Sequence, residues 1–265
     1  MKAGWIGFPK KDKAFWETVE LSAKIGYRGI EGGEILLEEG NPFENLDRFY
    51  KLGMEVLTVS TTLEELKKSV EPVIERAKRL GTNRATIWSG SAMGWWYKKP
   101  PTKAEFYNEI DIMEKAAAIL AKEKIKLCYH NHDPEFQLCY DNVLAIDHIM
   151  LNSDHIWLEI DLAWANRAGA DPISVINRYF NRMAAVHVKD YIAQDTIHSE
   201  GESPVSIPVF TSLGTGIMKL QPILECLYNL NQDWVIYEQD SLRNLDSLES
   251  IMLSYLYMKE SGFVE

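Results

Sequence analysis

A short β-rich run followed by an amphipathic helical run recurs about eight times along this chain. That alternation limits the fold more than any other feature, because it implies βαβ units and a parallel sheet. The strand runs fall at residues 3–8, 27–31, 55–60, 84–88, 126–130, 156–161, 184–189 and 234–238. Between them, segments such as 15–24, 63–79 and 105–122 carry apolar residues at three- and four-residue spacing, the mark of an amphipathic helix. Ile25-Gly26, Leu52-Gly53 and Leu80-Gly81 supply glycines that can cap a helix in the left-handed conformation, and Asp171-Pro172 reads as an N-cap followed by proline at the first helical position.

Eight such units in 265 residues predict one α/β domain over residues 1–265, a closed (β/α)8 TIM barrel, which typically needs about 250 residues. A doubly wound open sheet would place a glycine-rich phosphate loop after its first strand. The first strand instead runs into Phe8-Pro9-Lys10-Lys11, and Gly29, Gly32 and Gly33 lack the full spacing.

Composition excludes some classes of function. The formal net charge is −11, which argues against nucleic acid as a partner, because DNA binding is driven by lysine and arginine neutralising phosphates. The same acidity disfavours anionic membranes, and no run approaches the roughly 18 apolar residues of a membrane span. The N-terminus lacks the pattern of a signal peptide. Cys128, Cys139 and Cys226 are odd in number and widely spaced, so they read as reduced thiols of a cytoplasmic protein.

Groups able to bind a metal gather where the strands end. Strand two ends in Glu31, and strand five in His130-Asn131-His132-Asp133-Pro134-Glu135. Strand six ends in Glu159-Ile160-Asp161, strand seven in His187-Val188-Lys189-Asp190, and strand eight in Glu238-Gln239-Asp240. In a barrel these ends share one face, where catalytic groups converge. Alternation along a strand puts Glu159 with Asp161 on one side, as it does His130 with His132, His187 with Lys189 and Glu238 with Asp240. Carboxylates with imidazoles suit Mn²⁺, Zn²⁺, Co²⁺ or Mg²⁺. Trp5 and Phe8 on strand one, Trp88 with Trp95 and Trp96 around strand four, and Trp164 after Asp161 offer aromatic faces for stacking on a sugar. His148, His155 and His198 fall on helix or loop and receive no role.

On these residues the chain resembles the sugar phosphate isomerase/epimerase family, the xylose isomerase-like or AP-endonuclease-2-like barrels. The likeness runs almost end to end. It is carried by His130-Asn131-His132-Asp133-Pro134-Glu135-Phe136, by Glu159-Ile160-Asp161-Leu162-Ala163-Trp164 with Ala168-Gly169-Ala170-Asp171-Pro172, by Val186-His187-Val188-Lys189-Asp190, and by Leu213-Gly214-Thr215-Gly216 followed by Tyr237-Glu238-Gln239-Asp240. The resemblance implies one divalent metal ion held by Asp161, His187 and Glu238, with Glu135 as the fourth ligand. Many members carry a glutamate where this chain has His130, so His130 or His132 stands as the substitute ligand or as a substrate contact. The resemblance further implies proton abstraction beside a carbonyl and a metal-stabilised enediolate, with Glu135 and Glu238 as the acid/base pair. Lys189 and His132 would hold hydroxyls or polarise the carbonyl. Glu31, Trp5, Trp88 and Trp164 are candidates for binding the substrate.

The leading expectation is therefore a sugar or keto-sugar isomerase or epimerase. An inosose dehydratase-like lyase acting on a cyclic polyol is the alternative, because elimination of water uses similar parts. An apurinic-site endonuclease would need a cluster of metals and a DNA-binding face. A non-catalytic sugar-binding barrel would leave a set of charged groups unused, which is costly to bury. The expected partner is a small sugar or polyol, and association into a homo-oligomer is compatible with the fold. Lys98, Lys99, Lys103 and Arg243 are placed to meet a phosphate but read first as solvated charges. Residues 192–212 form a long polar segment, a candidate lid over the site.

Overall fold

A computed structural model describes residues 1–6, 14–88, 90, 99–198 and 205–265. Eight parallel strands close into a barrel: β1 (Lys2–Trp5), β2 (Gly29–Glu31), β3 (Glu55–Thr61), β4 (Arg84–Ile87), β5 (Lys126–His130), β6 (Ile156–Asp161), β7 (Met183–Val188) and β8 (Trp234–Tyr237). Each strand pairs with its neighbours in sequence, and β1 pairs with β8 to close the ring. The strands lie within two residues of the expected positions except at the end of β1, which stops at Trp5 where the expected run reached Phe8, and β5 and β6 match them at both ends. Among the described residues, no helix is long and apolar enough to cross a membrane.

Local chemistry fixes the helices that surround the barrel. Gly26, Gly53 and Gly81 each adopt a positive φ, as their places at helix ends require. The Asp171 side chain accepts the Ser174 N–H, with Pro172 at the first helical position. Thr102 and Glu105 form a capping box at the start of the helix Lys103–Lys122. The expected helix over 63–79 is two helices, Leu63–Lys68 and Glu71–Arg79. Ser69 is extended there, and Pro72, which lacks the N–H needed to continue the first helix, sits in the first turn of the second.

The strand–helix layer forms the main core. Inside the barrel, Leu57, Ala185, Trp234 and Ile236 make a smaller apolar cluster. Gly4 and Gly29 leave the space that Leu57 fills: a Cβ on Gly4 would lie 2.4 Å from a Leu57 methyl, and one on Gly29 2.6 Å from the other.

The segment read as a candidate lid is a β-hairpin, in which Asp190–His198 pairs antiparallel with Val205–Thr211. Asp190 ties its base together. Its carboxylate accepts the backbone N–H groups of Tyr191, Gly214, Gly216 and Met218 at 2.9–3.0 Å. Gly216 leaves room for that carboxylate, since a Cβ there would sit 2.2 Å from Asp190 Oδ1. The Leu213-Gly214-Thr215-Gly216 motif is thus an anchor for the hairpin.

Candidate metal centre and active site

Strand register brings the site together. His130 lies opposite Glu159 across β5 and β6, Asp161 opposite His187 across β6 and β7, and Ile236 opposite His187 across β7 and β8. Inward-facing residues therefore stack in two layers. The upper layer holds His130, Asp161, His187 and Glu238, whose ligand atoms all lie within 4.8 Å of one another. The lower layer holds Glu31 and Glu159, grouped with the other side of the His187 ring.

Each upper residue is held by a specific contact. Asp161 caps the helix Leu162–Arg167, where its Oδ1 accepts the N–H groups of Ala163 and Trp164 at 2.9 Å, so Oδ2 is aimed at the cluster. Asn131 braces the same strand end: its side-chain oxygen accepts the Asp161 N–H at 2.9 Å, and its amide donates to the Asp161 carbonyl at 3.1 Å. His187 Nδ1 lies 2.5 Å from Glu238 Oε2, and its Nε2 lies 2.8 Å from Glu31 Oε2. Lys189, wholly buried, places Nζ 2.9 Å from carboxylate oxygens of Asp161, Glu238 and Asp240.

The electrostatics follow from burial. Desolvation would depress the Lys189 pKa, but Asp161, Asp240 and Glu238 outweigh it and raise it, so the ammonium is charged. Burial likewise opposes a charged His187, yet Glu31, Glu238 and Glu159 hold its pKa well above the usual imidazole value. His130 is lowered, and His132 well lowered, by burial. Desolvation resists ionisation of Glu238, but Lys189 and His187 hold it well below the usual carboxylate range. Burial pushes Asp240 up to about 7 against the pull of Lys189, with Glu238 and Asp161 adding to the rise.

These donors fit a divalent cation. Glu31, Glu159 and Asp161 are at most 1% exposed, and with Glu238 they converge on one ammonium and two imidazoles. Buried carboxylates in such excess call for a further positive charge. Two imidazoles beside carboxylates make a donor set for Zn²⁺, Co²⁺ or Mn²⁺ more than for Mg²⁺, which prefers oxygen.

The structure corrects several expectations. Glu135, expected as the fourth ligand and as half of an acid/base pair, stands outside the cluster, and His130 takes the fourth place. Glu135 lies in the short helix Pro134–Gln137, where its carboxylate accepts the Tyr129 hydroxyl at 2.7 Å and the His132 N–H at 2.9 Å. Tyr129 precedes His130 on β5 and so faces the other side of the sheet; Glu135 sits behind the strand with it. Trp5 pairs in register with Tyr237, and it packs in the strand–helix core rather than at the site. Alternation turns Gly4 and Ile6 inward instead. Glu31, expected to bind substrate, lies beneath His187, only 1% exposed.

Other expected residues do meet at the mouth. The Trp88 ring is 5.2 Å from that of His130 and 6.0 Å from that of His187. Trp164 lies 5.4 Å from His132 and 5.2 Å from Phe210, and Lys189 Nζ is 5.7 Å from the Trp164 ring centre. A cavity of about 350 Å³ beside Glu238 is lined by Ile6, Gln239, Asp240 and Leu242, and a cleft of about 610 Å³ by Ile6, Glu34, Ser60, Arg76 and Trp88. Lys103 pairs with Asp141 instead of facing the site. Phe8, Trp95, Trp96, Lys98 and residues 199–204 lie outside the described residues. Sequence reasoning gave no role to Asp240 or Phe210; the Glu238-x-Asp240 spacing was the available signal for the first.

Residues 19–254 match the xylose isomerase-like TIM barrel family. Among curated proteins, the inosose dehydratase of Clostridium beijerinckii is 27% identical over an alignment covering 96% of this chain and 92% of its own. Among solved structures, a sugar phosphate isomerase/epimerase from Parabacteroides distasonis superposes with a TM-score of 0.74 at 17% identity, covering 100% of this chain and 95% of the other. The IolI protein with a bound zinc atom gives a TM-score of 0.73 at 16% identity, covering 98% of each chain.

Proposed function

The chain belongs to the xylose isomerase-like TIM barrel family, and on that premise we propose that it is a divalent-metal-dependent lyase that removes water from a cyclic keto-polyol of the inosose class. The relative named as an inosose dehydratase, aligned over nearly the whole of both chains, supports this substrate class. One observation carries the choice of elimination over epimerisation. Epimerisation by two carboxylates needs a base on each face of the substrate. Glu135, the expected partner of Glu238, is held behind β5 by Tyr129 and His132. The carboxylates at the cavity, Glu238 and Asp240, both follow β8 and so stand on one side of it, and the buried Lys189 ammonium contacts Glu238 at 2.9 Å.

A cation held by His130, Asp161, His187 and Glu238 would polarise adjacent substrate oxygens and make the hydrogen next to the ketone more acidic. Trp88 and Trp164 wall the ring of the substrate. Glu238, kept ionised by Lys189 and His187, takes that hydrogen as a proton. The C–H electrons form the new C=C bond as the C–O bond to the neighbouring hydroxyl breaks. Lys189 gives a proton to the departing oxygen, and water leaves. Glu238 then returns its proton to Lys189 across 2.9 Å, which restores both groups. Proton transfer from positioned groups of this kind contributes about 10²–10⁴-fold to rate.

The test is to incubate the metal-loaded protein with a keto-inositol in D₂O and follow the product by mass. A product lighter by one water supports the lyase. Deuterium incorporated into a product of unchanged composition would instead support the epimerase reading.

A further inference from the structure

Beneath the four candidate ligands lies a layer that the proposed elimination does not touch. Glu31 Oε2 lies 2.8 Å from His187 Nε2. Glu159 Oε1 lies 3.3 Å from His130 Nδ1 and 3.5 Å from His187 Nε2. Glu159 is itself held from below, since the Thr86 hydroxyl donates to its Oε2 at 2.9 Å and the Thr58 hydroxyl lies 2.8 Å from that of Thr86. Both glutamates are at most 1% exposed.

The two histidines are thus oriented in the same sense, His187 by a hydrogen bond and His130 by an ion-pair contact. One ring nitrogen of each faces a carboxylate below, and the other faces the cluster above: His187 Nδ1 toward Glu238, and His130 Nε2 toward Asp161 Oδ2 at 4.0 Å. A carboxylate that accepts one ring N–H fixes the tautomer and frees the opposite nitrogen as a metal ligand. We propose that Glu31 and Glu159 are positioning residues of the metal centre, which make His187 present Nδ1 and His130 present Nε2 to the ion. This rests on the metal reading above. Support also comes from cost. Glu31 Oε1, the oxygen that does not meet His187, has no hydrogen-bond partner among the described residues, which is unfavourable for an acid whose role is purely structural.

The experiment uses Co²⁺ and Zn²⁺ alone as probes on the full chain, with wild type, Glu31→Ala, Glu31→Gln and Glu159→Gln. Affinity is read by competition with a chelator, ligand geometry by the visible spectrum of bound Co²⁺, and fold by the thermal midpoint of the metal-free protein. Glu31→Ala is expected to lower affinity about 10–100-fold and to change the Co²⁺ spectrum, without lowering the metal-free midpoint. Glu31→Gln should recover part of the affinity, because its amide oxygen still accepts the imidazole N–H. Glu159→Gln should weaken binding by less than Glu31→Ala. A Glu31→Ala protein with wild-type affinity and spectrum overturns the proposal. So does a loss of affinity that Glu31→Gln fails to recover and that follows a fall in the metal-free midpoint. Failure of wild type to bind either ion overturns the metal reading itself, and the proposal with it.

Discussion

The lower half of the barrel interior is filled by Leu57, Ala185, Trp234 and Ile236, whereas the upper half holds Glu31, Glu159, His130, Asp161, His187, Glu238 and Lys189. Both halves are largely shut away from water, with Glu238 reaching the cavity, yet their physics is opposite. Burying a leucine side chain stabilises a fold by about 1.5–3 kcal/mol. Burying ions costs free energy that pairing recovers only in part. A chain that needed only to fold would have continued the lower half upward. The polar half marks where binding, rather than stability, sets the choice of residue, at the C-terminal strand ends where barrel enzymes keep their sites.

The comparison can be sharpened from both sides. The largest effect is expected above. Lys189→Met should reduce dehydration about 10²–10⁴-fold in a steady-state assay of the metal-loaded protein, because the proton donor is lost. Unchanged turnover would remove Lys189 from the chemistry. Below, Leu57→Ala should cost about 2–5 kcal/mol in denaturant unfolding while leaving Co²⁺ affinity as in wild type, because it opens a cavity away from the ligands. A loss of metal binding in step with stability would show that the two halves are not separable.

The smallest effect belongs to the rim. Arg76 holds Glu65 through two contacts of 2.7 Å, and this lowers the Glu65 pKa against the opposing effect of burial. A carboxylate depressed in the folded state stabilises the fold above its unfolded pKa, and that stabilisation is lost as pH falls through the folded value. Because the pair is partly solvated, the contribution is at most about 1 kcal/mol. Arg76→Met should therefore flatten the acid limb of a stability–pH curve only slightly. A change clearly above about 1 kcal/mol would show that this pair is not an ordinary partly solvated rim contact.

The fold was legible because strand and helix periodicities survive in the sequence, and because Gly26, Gly53, Gly81 and Asp171-Pro172 punctuate them. Asp161, His187, Glu238 and Lys189 stand out in the sequence as polar groups at strand ends, and the ligand roles of the first three came from the family resemblance rather than from strand phase. Glu135 was misplaced because it follows β5 on a turn, where strand alternation no longer says which way a side chain points. Its destination depends on Tyr129, on the far side of the sheet. Trp5 was out of phase by one residue: the inward positions of β1 are the small Gly4 and the later Ile6. Glu31 was seen as a strand end, but its depth beneath His187 depends on the stagger between β2 and β7, which no local pattern records. The Leu57–Gly4–Gly29 packing was not visible at all, because it joins three strands through the absence of side chains on two of them.

The central claim is that His130, not Glu135, completes the metal site. The direct measurement is bound Zn²⁺ per chain by elemental analysis after loading and gel filtration, on wild type, His130→Ala and Glu135→Gln, with circular dichroism to verify the fold. The account predicts one ion per chain in wild type and in Glu135→Gln, and loss of the ion in His130→Ala. An ion retained in His130→Ala and lost in Glu135→Gln would contradict it.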